Sequence, residues 1–218
     1  MKTILIFLLS QSILLPIIAG LIRLRRIDAR YQPFYILLCI GFVSEVISFI
    51  LIKGFHRHNA IVLNIYYLAE WLLIAWQFHV WGFLKHQRRT FYTLLAFGAL
   101  LWVTENLVWG KITEFSPYFC IFYYFVIVLL SIRTINFMIT HDNRNLFRNP
   151  QFLICIGFII YFLYLILYSW ASAVSMYGRS VASTTVIFYL MAYINALSNT
   201  IYAIAFLLIP ARVKFTLK

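Results

Sequence analysis

The chain has 218 residues, of which 64% are hydrophobic, 19% aromatic and only 11% charged, and its mean hydropathy is +0.90. That balance belongs to polytopic membrane proteins and excludes a water-soluble globular domain. The formal net charge of +12 invites a nucleic-acid reading, which the distribution of the basic residues excludes, because they cluster at the ends of apolar runs rather than on one face.

A helical span needs roughly 20 apolar residues to cross about 30 Å of hydrocarbon. Apolar runs predict seven spans, at 1–22, 34–53, 61–83, 91–110, 118–140, 152–172 and 186–209. The expected fold is therefore all-α: one seven-helix membrane domain over 1–218, whose short connectors leave no room for a soluble catalytic or DNA-binding module.

The first span resembles a signal peptide, with Lys2, an apolar run and Ala19-Gly20. Cleavage there strands Arg23, Arg25 and Arg26 on the wrong side of the membrane, so the segment is read as a retained span. Three of the six acidic residues then fall inside spans: Glu45 in the second, Glu70 in the third and Glu105 in the fourth. A charged side chain at the bilayer centre costs about 3 kcal/mol or more, so these acids call for a function or a partner. On the third span Asn64, Tyr67, Glu70, Trp71 and Gln77 share an arc of roughly 140° at helical periodicity. On the fourth, Trp102 and Trp109 flank Glu105 at i−3 and i+4. The fifth carries Arg133 in its inner half, the sixth a Tyr161, Tyr164, Tyr168 stripe, and the seventh Asn195, Ser198, Asn199 and Tyr202 on one face. Each has an ordinary structural explanation: interhelical hydrogen bonding for the amides and serines, core packing for the tyrosines, snorkelling for Arg133. Cys39, Cys120 and Cys155, one in each of three spans, are small core residues without metal-ligand spacing.

Twelve of the eighteen Lys and Arg residues lie in the first, third and fifth connectors and the tail: Arg23, Arg25, Arg26, Arg30, Lys85, Arg88, Arg89, Arg144, Arg148, Arg212, Lys214 and Lys218. Basic loops face the cytoplasm, so the amino-terminal end is expected outside and the carboxyl-terminal end inside a cell (inner) membrane, with anionic headgroups as the partner of the charge. In that frame Glu45, Glu70, Glu105 and Asn195 share one layer, from the bilayer centre to its outer third. A polar–aromatic pocket is expected in this layer. Its candidate ligand-binding or proton-carrying residues are Glu45, Asn64, Tyr67, Glu70, Glu105, Asn195 and Asn199, with Arg133 as the coupling residue on the cytoplasmic side.

All six lysines sit at span ends, in loops or in tails, so no mid-membrane amine exists for a retinal Schiff base, and no cofactor is expected. The histidines, His56, His58, His79, His86 and His141, do not converge at one depth, which argues against a metal centre. No HExxH or GxSxG motif occurs, and no catalytic residue is assigned.

Several segments carry a likeness that runs the length of the chain. They are Leu21-Ile22-Arg23-Leu24-Arg25-Arg26, Ser44-Glu45-Val46-Ile47-Ser48, Asn64 to Trp71, Asn149-Pro150-Gln151-Phe152 leading to Gly157 and Tyr161-Phe162, and Asn195…Asn199…Tyr202. In these the chain resembles an uncharacterised family of seven-helix integral membrane proteins associated with Bacteroidota-type bacteria. The resemblance implies that Glu45, Glu70 and Asn199 are family features, and it implies no activity. Members carry another carboxylate early in the fifth helix, where this chain has Tyr123-Tyr124, and Glu105 is the acid expected to substitute for it.

Three functions stay open at this point. The first is a sensory or regulatory protein that binds a small apolar or amphipathic ligand and signals through a membrane or cytoplasmic partner. The second is a proton- or ion-coupled carrier using Glu45 or Glu70, and the third a lipid-acting hydrolase using that carboxylate pair. Helix continuity at mid-membrane separates the first two, since carriers commonly unwind there.

Overall fold

In a computed structural model, residues 9, 11–23, 28–82, 88–141, 145–176 and 181–209 are described. Among them the chain is helical, as hydrocarbon demands of a backbone that has no water to pair with. Seven α-helices follow one another: α1 (Leu14–Arg23), α2 (Gln32–Phe49), α3 (Ala60–Val80), α4 (Arg88–Val103), α5 (Pro117–His141), α6 (Pro150–Met176) and α7 (Val181–Leu208). Prolines open α5 and α6 and stand in the first turn of α2, where their missing N–H is no loss.

Six helical stretches, from Ala29–Gly54 to Tyr189–Leu208, are long and apolar enough to cross a membrane, the pattern of a multi-pass membrane protein. The seventh, Gln11–Arg23, is shorter, and the start of the expected first span (1–8) lies outside the described residues. The perimeter is apolar: Leu100, Val108, Phe125, Leu167 and Ile204 are exposed, as lipid contact requires.

Two helices end in wider π-helical turns, Ile50–Gly54 after α2 and Thr104–Trp109 after α4. Such a turn takes an extra residue and rotates everything beyond it. The second one removes the expected flanking of Glu105: Trp102 is buried, whereas Trp109 is 83% exposed.

Consecutive helices pack together, and α1 also packs along α7, which closes the bundle into a ring. The Arg23 guanidinium fastens the seam by donating to the Ile209 carbonyl oxygen at 2.6 Å. Because α3 touches α5 directly, α4 lies outside the ring, against both. Its buried apolar side chains are Phe91 and Trp102. Gly98 lets α4 approach α3, since a methyl group there would run into the Trp71 indole. Across the ring, helices meet through aromatic side chains. Phe34 of α2 packs on Phe158, Tyr202 and Phe206, with ring centroids 5.4, 5.0 and 5.6 Å away.

Gln77, on the buried face of α3, secures the start of α2. Its Oε1 accepts the Phe34 N–H at 2.9 Å and its Nε2 donates to the Arg30 carbonyl oxygen at 2.5 Å. The opening N–H groups of a helix lack intrahelical partners, so this amide acts as a cap delivered from another helix. Gln77→Leu, which strips both bonds in a fully buried site, is expected to destabilise the fold by about 1–3 kcal/mol, read as a lower thermal midpoint in detergent.

Candidate functional site

A cavity of about 530 Å³ opens inside the ring between the turn before α1 and helices α2, α3, α6 and α7. The sequence of α2 creates it. Gly41, Ser44, Glu45 and Ser48 recur at helical spacing on one face, so α2 presents small and polar groups where its other faces carry large apolar ones. Opposite stand Tyr66, Tyr67 and Glu70 of α3, Tyr161 and Phe162 of α6, and Asn195, Asn199 and Tyr202 of α7. One end is filled by Phe34, Ile74 and Phe158, each 1% exposed. At the other end the lining passes to Gln11, Phe49 and Asn59, which are half-exposed or exposed.

The two acids of the cavity live in different surroundings. Glu70 is 4% exposed, and both its oxygens are engaged: Oε1 accepts the Tyr66 hydroxyl at 2.9 Å and Oε2 the Tyr123 hydroxyl at 2.7 Å. Tyr67 packs between those two tyrosines, with ring centroids 6.0 and 6.2 Å away. Tyr123, in the Tyr123-Tyr124 pair of α5, thus serves as a donor to Glu70. Glu45 is half-buried, and its Oε2 is out of solvent contact with no hydrogen-bond partner. The Ser48 hydroxyl, three residues on, is in the same condition.

The amides of α7 are tied. Asn199 Nδ2 donates to Ser12 Oγ at 2.9 Å and to Asn195 Oδ1 at 3.2 Å, linking α7 to the turn before α1.

Five of the predicted residues thus line one cavity: Glu45, Tyr67, Glu70, Asn195 and Asn199. Asn64, Glu105 and Arg133 do not. Asn64 pins the connector between α4 and α5, its Nδ2 donating to the Ile112 and Glu114 carbonyl oxygens at 2.9 and 2.7 Å. Glu105 caps α5, accepting the Tyr118 and Phe119 N–H groups at 3.0 and 2.7 Å, where the positive end of the helix dipole favours an acid. Arg133 is exposed on α5. Of the tyrosine stripe on α6, Tyr161 lines the cavity, while Tyr164 donates to the Ile187 carbonyl oxygen. Sequence reasoning missed Gly41, Ser44 and Ser48, whose spacing around Glu45 was the available signal. Among the described residues no group of three or more His, Cys, Asp and Glu is placed to hold a metal ion.

No protein-family model matches the chain, and neither a curated protein nor a solved structure does.

The Glu70 clamp carries its own test. Tyr123→Phe deletes the donor to Oε2 and leaves a buried carboxyl oxygen unpaired, so a loss of about 1–3 kcal/mol is expected in thermal unfolding, whereas Tyr92→Phe, on an exposed ring, leaves the midpoint in place.

Proposed function

We propose that this chain is a sensory or regulatory protein of the cell (inner) membrane, with its amino-terminal end outside and its carboxyl-terminal end in the cytoplasm. It binds a small amphipathic molecule in the cavity and signals to a partner protein at its basic cytoplasmic loops. The observation that carries this reading is the pair of buried, unpartnered oxygens on α2, Glu45 Oε2 and Ser48 Oγ, beside a cavity whose other walls are aromatic. A buried polar atom without a partner is costly, and a mostly apolar pocket with a few convergent polar groups is the usual build of a small-molecule site. Glu70, held by two tyrosines, shapes the wall. Arg133, on the cytoplasmic side, reaches the headgroups or a partner.

Helix continuity favours a receptor over a carrier. α6 and α7 run unbroken past the cavity, and α2 and α3 are unbroken along its walls, with the π-helical turn from Ile50 and the start of α3 at the open end marked by Phe49 and Asn59. The end of the cavity assigned to the cytoplasm is the one filled by Phe34, Ile74 and Phe158. The hydrolase reading loses support because both Glu70 oxygens are occupied, so the two acids do not act as a free pair on water.

Native mass spectrometry of the purified chain in mild detergent is expected to show a discrete bound mass whose affinity falls at least tenfold in Glu45→Gln. Identical bare spectra for both forms would overturn the proposal. The orientation has a separate check. In intact cells His58→Cys is expected to react with a membrane-impermeant maleimide, and Asn145→Cys only after permeabilisation; the reverse pattern overturns the assigned topology.

A further inference from the structure

We infer that the ligand of this cavity is an amphipathic amine, bound as its ammonium ion with the nitrogen between Glu45 and Ser48. The inference deepens the reading of the cavity as a ligand site and rests on it. Its starting point is the balance of charge and donors around the space. Two carboxyl groups line the cavity, and among the described lining residues there is no Lys, Arg or His. Glu70 is saturated by two hydroxyl donors, which leaves Glu45 as the acid with a free, buried oxygen.

Ser48 points the same way. A serine or threonine inside a helix ordinarily rests its hydroxyl on the carbonyl four residues back, as Ser131, Thr134 and Thr200 do here at 2.8, 2.7 and 2.8 Å. Ser48, 8% exposed, forgoes that bond, as Ser198 does away from the cavity, and its free oxygen lies one helical turn from Glu45 on the face of α2 that lines the cavity. Two free buried acceptors one helical turn apart call for a group with several N–H donors and a positive charge, which an ammonium supplies. An alcohol brings one donor and no charge. A carboxylate or phosphate meets like charge at Glu45, and the Asn199 amide N–H groups are already given to Ser12 and Asn195. Tyr66 and Tyr161 line the opposite side of the cavity, and aromatic faces attract a cation while accepting its apolar body.

The test compares octylamine with 1-octanol, matched in length and differing in the head group, titrated into the purified full chain in mild detergent with bound mass as the readout. Octylamine is expected to bind at least tenfold more tightly than octanol. Glu45→Gln, nearly isosteric, is expected to lose at least tenfold toward octylamine with octanol unchanged, and Ser48→Ala about threefold. Should Glu45→Gln fail to reach the wild-type thermal midpoint, Ser48→Ala carries the comparison. Octanol binding as tightly as octylamine, or octylamine binding unchanged in both variants, overturns the amine assignment and leaves the cavity standing as a ligand site. Failure of both probes to bind the wild type overturns the ligand reading itself.

Discussion

A polar side chain enclosed among helices in hydrocarbon has no water to turn to, so each must end on another polar group of the protein. That constraint organises this bundle. Gln77 ends on the backbone at the start of α2, Asn64 on the connector before α5, Glu105 on the first N–H groups of α5, Glu70 on two tyrosine hydroxyls and Asn199 on Ser12. These contacts decide which helices touch and at what height, while the apolar perimeter only keeps the whole in the bilayer. Six buried polar atoms among the described residues break the rule, on Glu45, Ser48, Trp71, His79, Trp81 and Ser198, and of these residues only Glu45 and Ser48 line the cavity, which is why they, and not the more deeply buried Glu70, are where the proposed ligand is placed.

Helix α3 shows how one stripe of sequence serves three ends. Asn64, near its beginning, Glu70, in its middle, and Gln77, near its end, share a buried face, and each holds a different neighbour. Held at three heights, α3 is the fixed wall against which the cavity is shaped. The direct contact of α3 with α5, bridged by Glu70 and Tyr123, displaces α4 to the outside, where it meets α3 at Trp71 and supplies none of the cavity lining.

Much of this was legible in the residues alone. Apolar run lengths place six membrane-length helices where they are found, and a shorter one, Gln11–Arg23, within the first expected span, because hydrocarbon thickness leaves helix length little freedom. Depth counting puts Glu45, Glu70 and Asn195 in one layer, and the cavity brings them together. The same counting also puts Glu105 there, and helical phase adds Asn64; both mislead, because depth says nothing about direction and phase nothing about height. Asn64 turns toward a connector whose fold no periodicity encodes, and the π-helical turn at Thr104–Trp109 breaks the phase on which the position of Glu105 was reckoned. Ser44 and Ser48, quoted in the sequence only for the resemblance, are not assigned to the expected pocket for another reason. In a membrane helix a serine usually bonds to its own backbone and reads as a small apolar residue, and only the structure tells that Ser48 does not.

The seam between α1 and α7 has a consequence for biogenesis. Arg23 reaches Ile209 across 186 positions and Asn199 reaches Ser12 across 187, so the contacts that shut the ring join parts of the chain made far apart in its synthesis. Contacts of such long range form late, since loop closure must precede any return from them. As the helices enter the membrane one after another, α1 to α6 assemble as an open arc, and Ser12 waits in it without its amide. The cavity, which needs Asn195, Asn199 and Tyr202 for its last wall, comes into being only when α7 arrives. A nascent or truncated chain lacking that helix holds Glu45 and Glu70 yet has no enclosed space between them, which makes closure of the ring the event that separates an inserted polypeptide from one with a walled cavity.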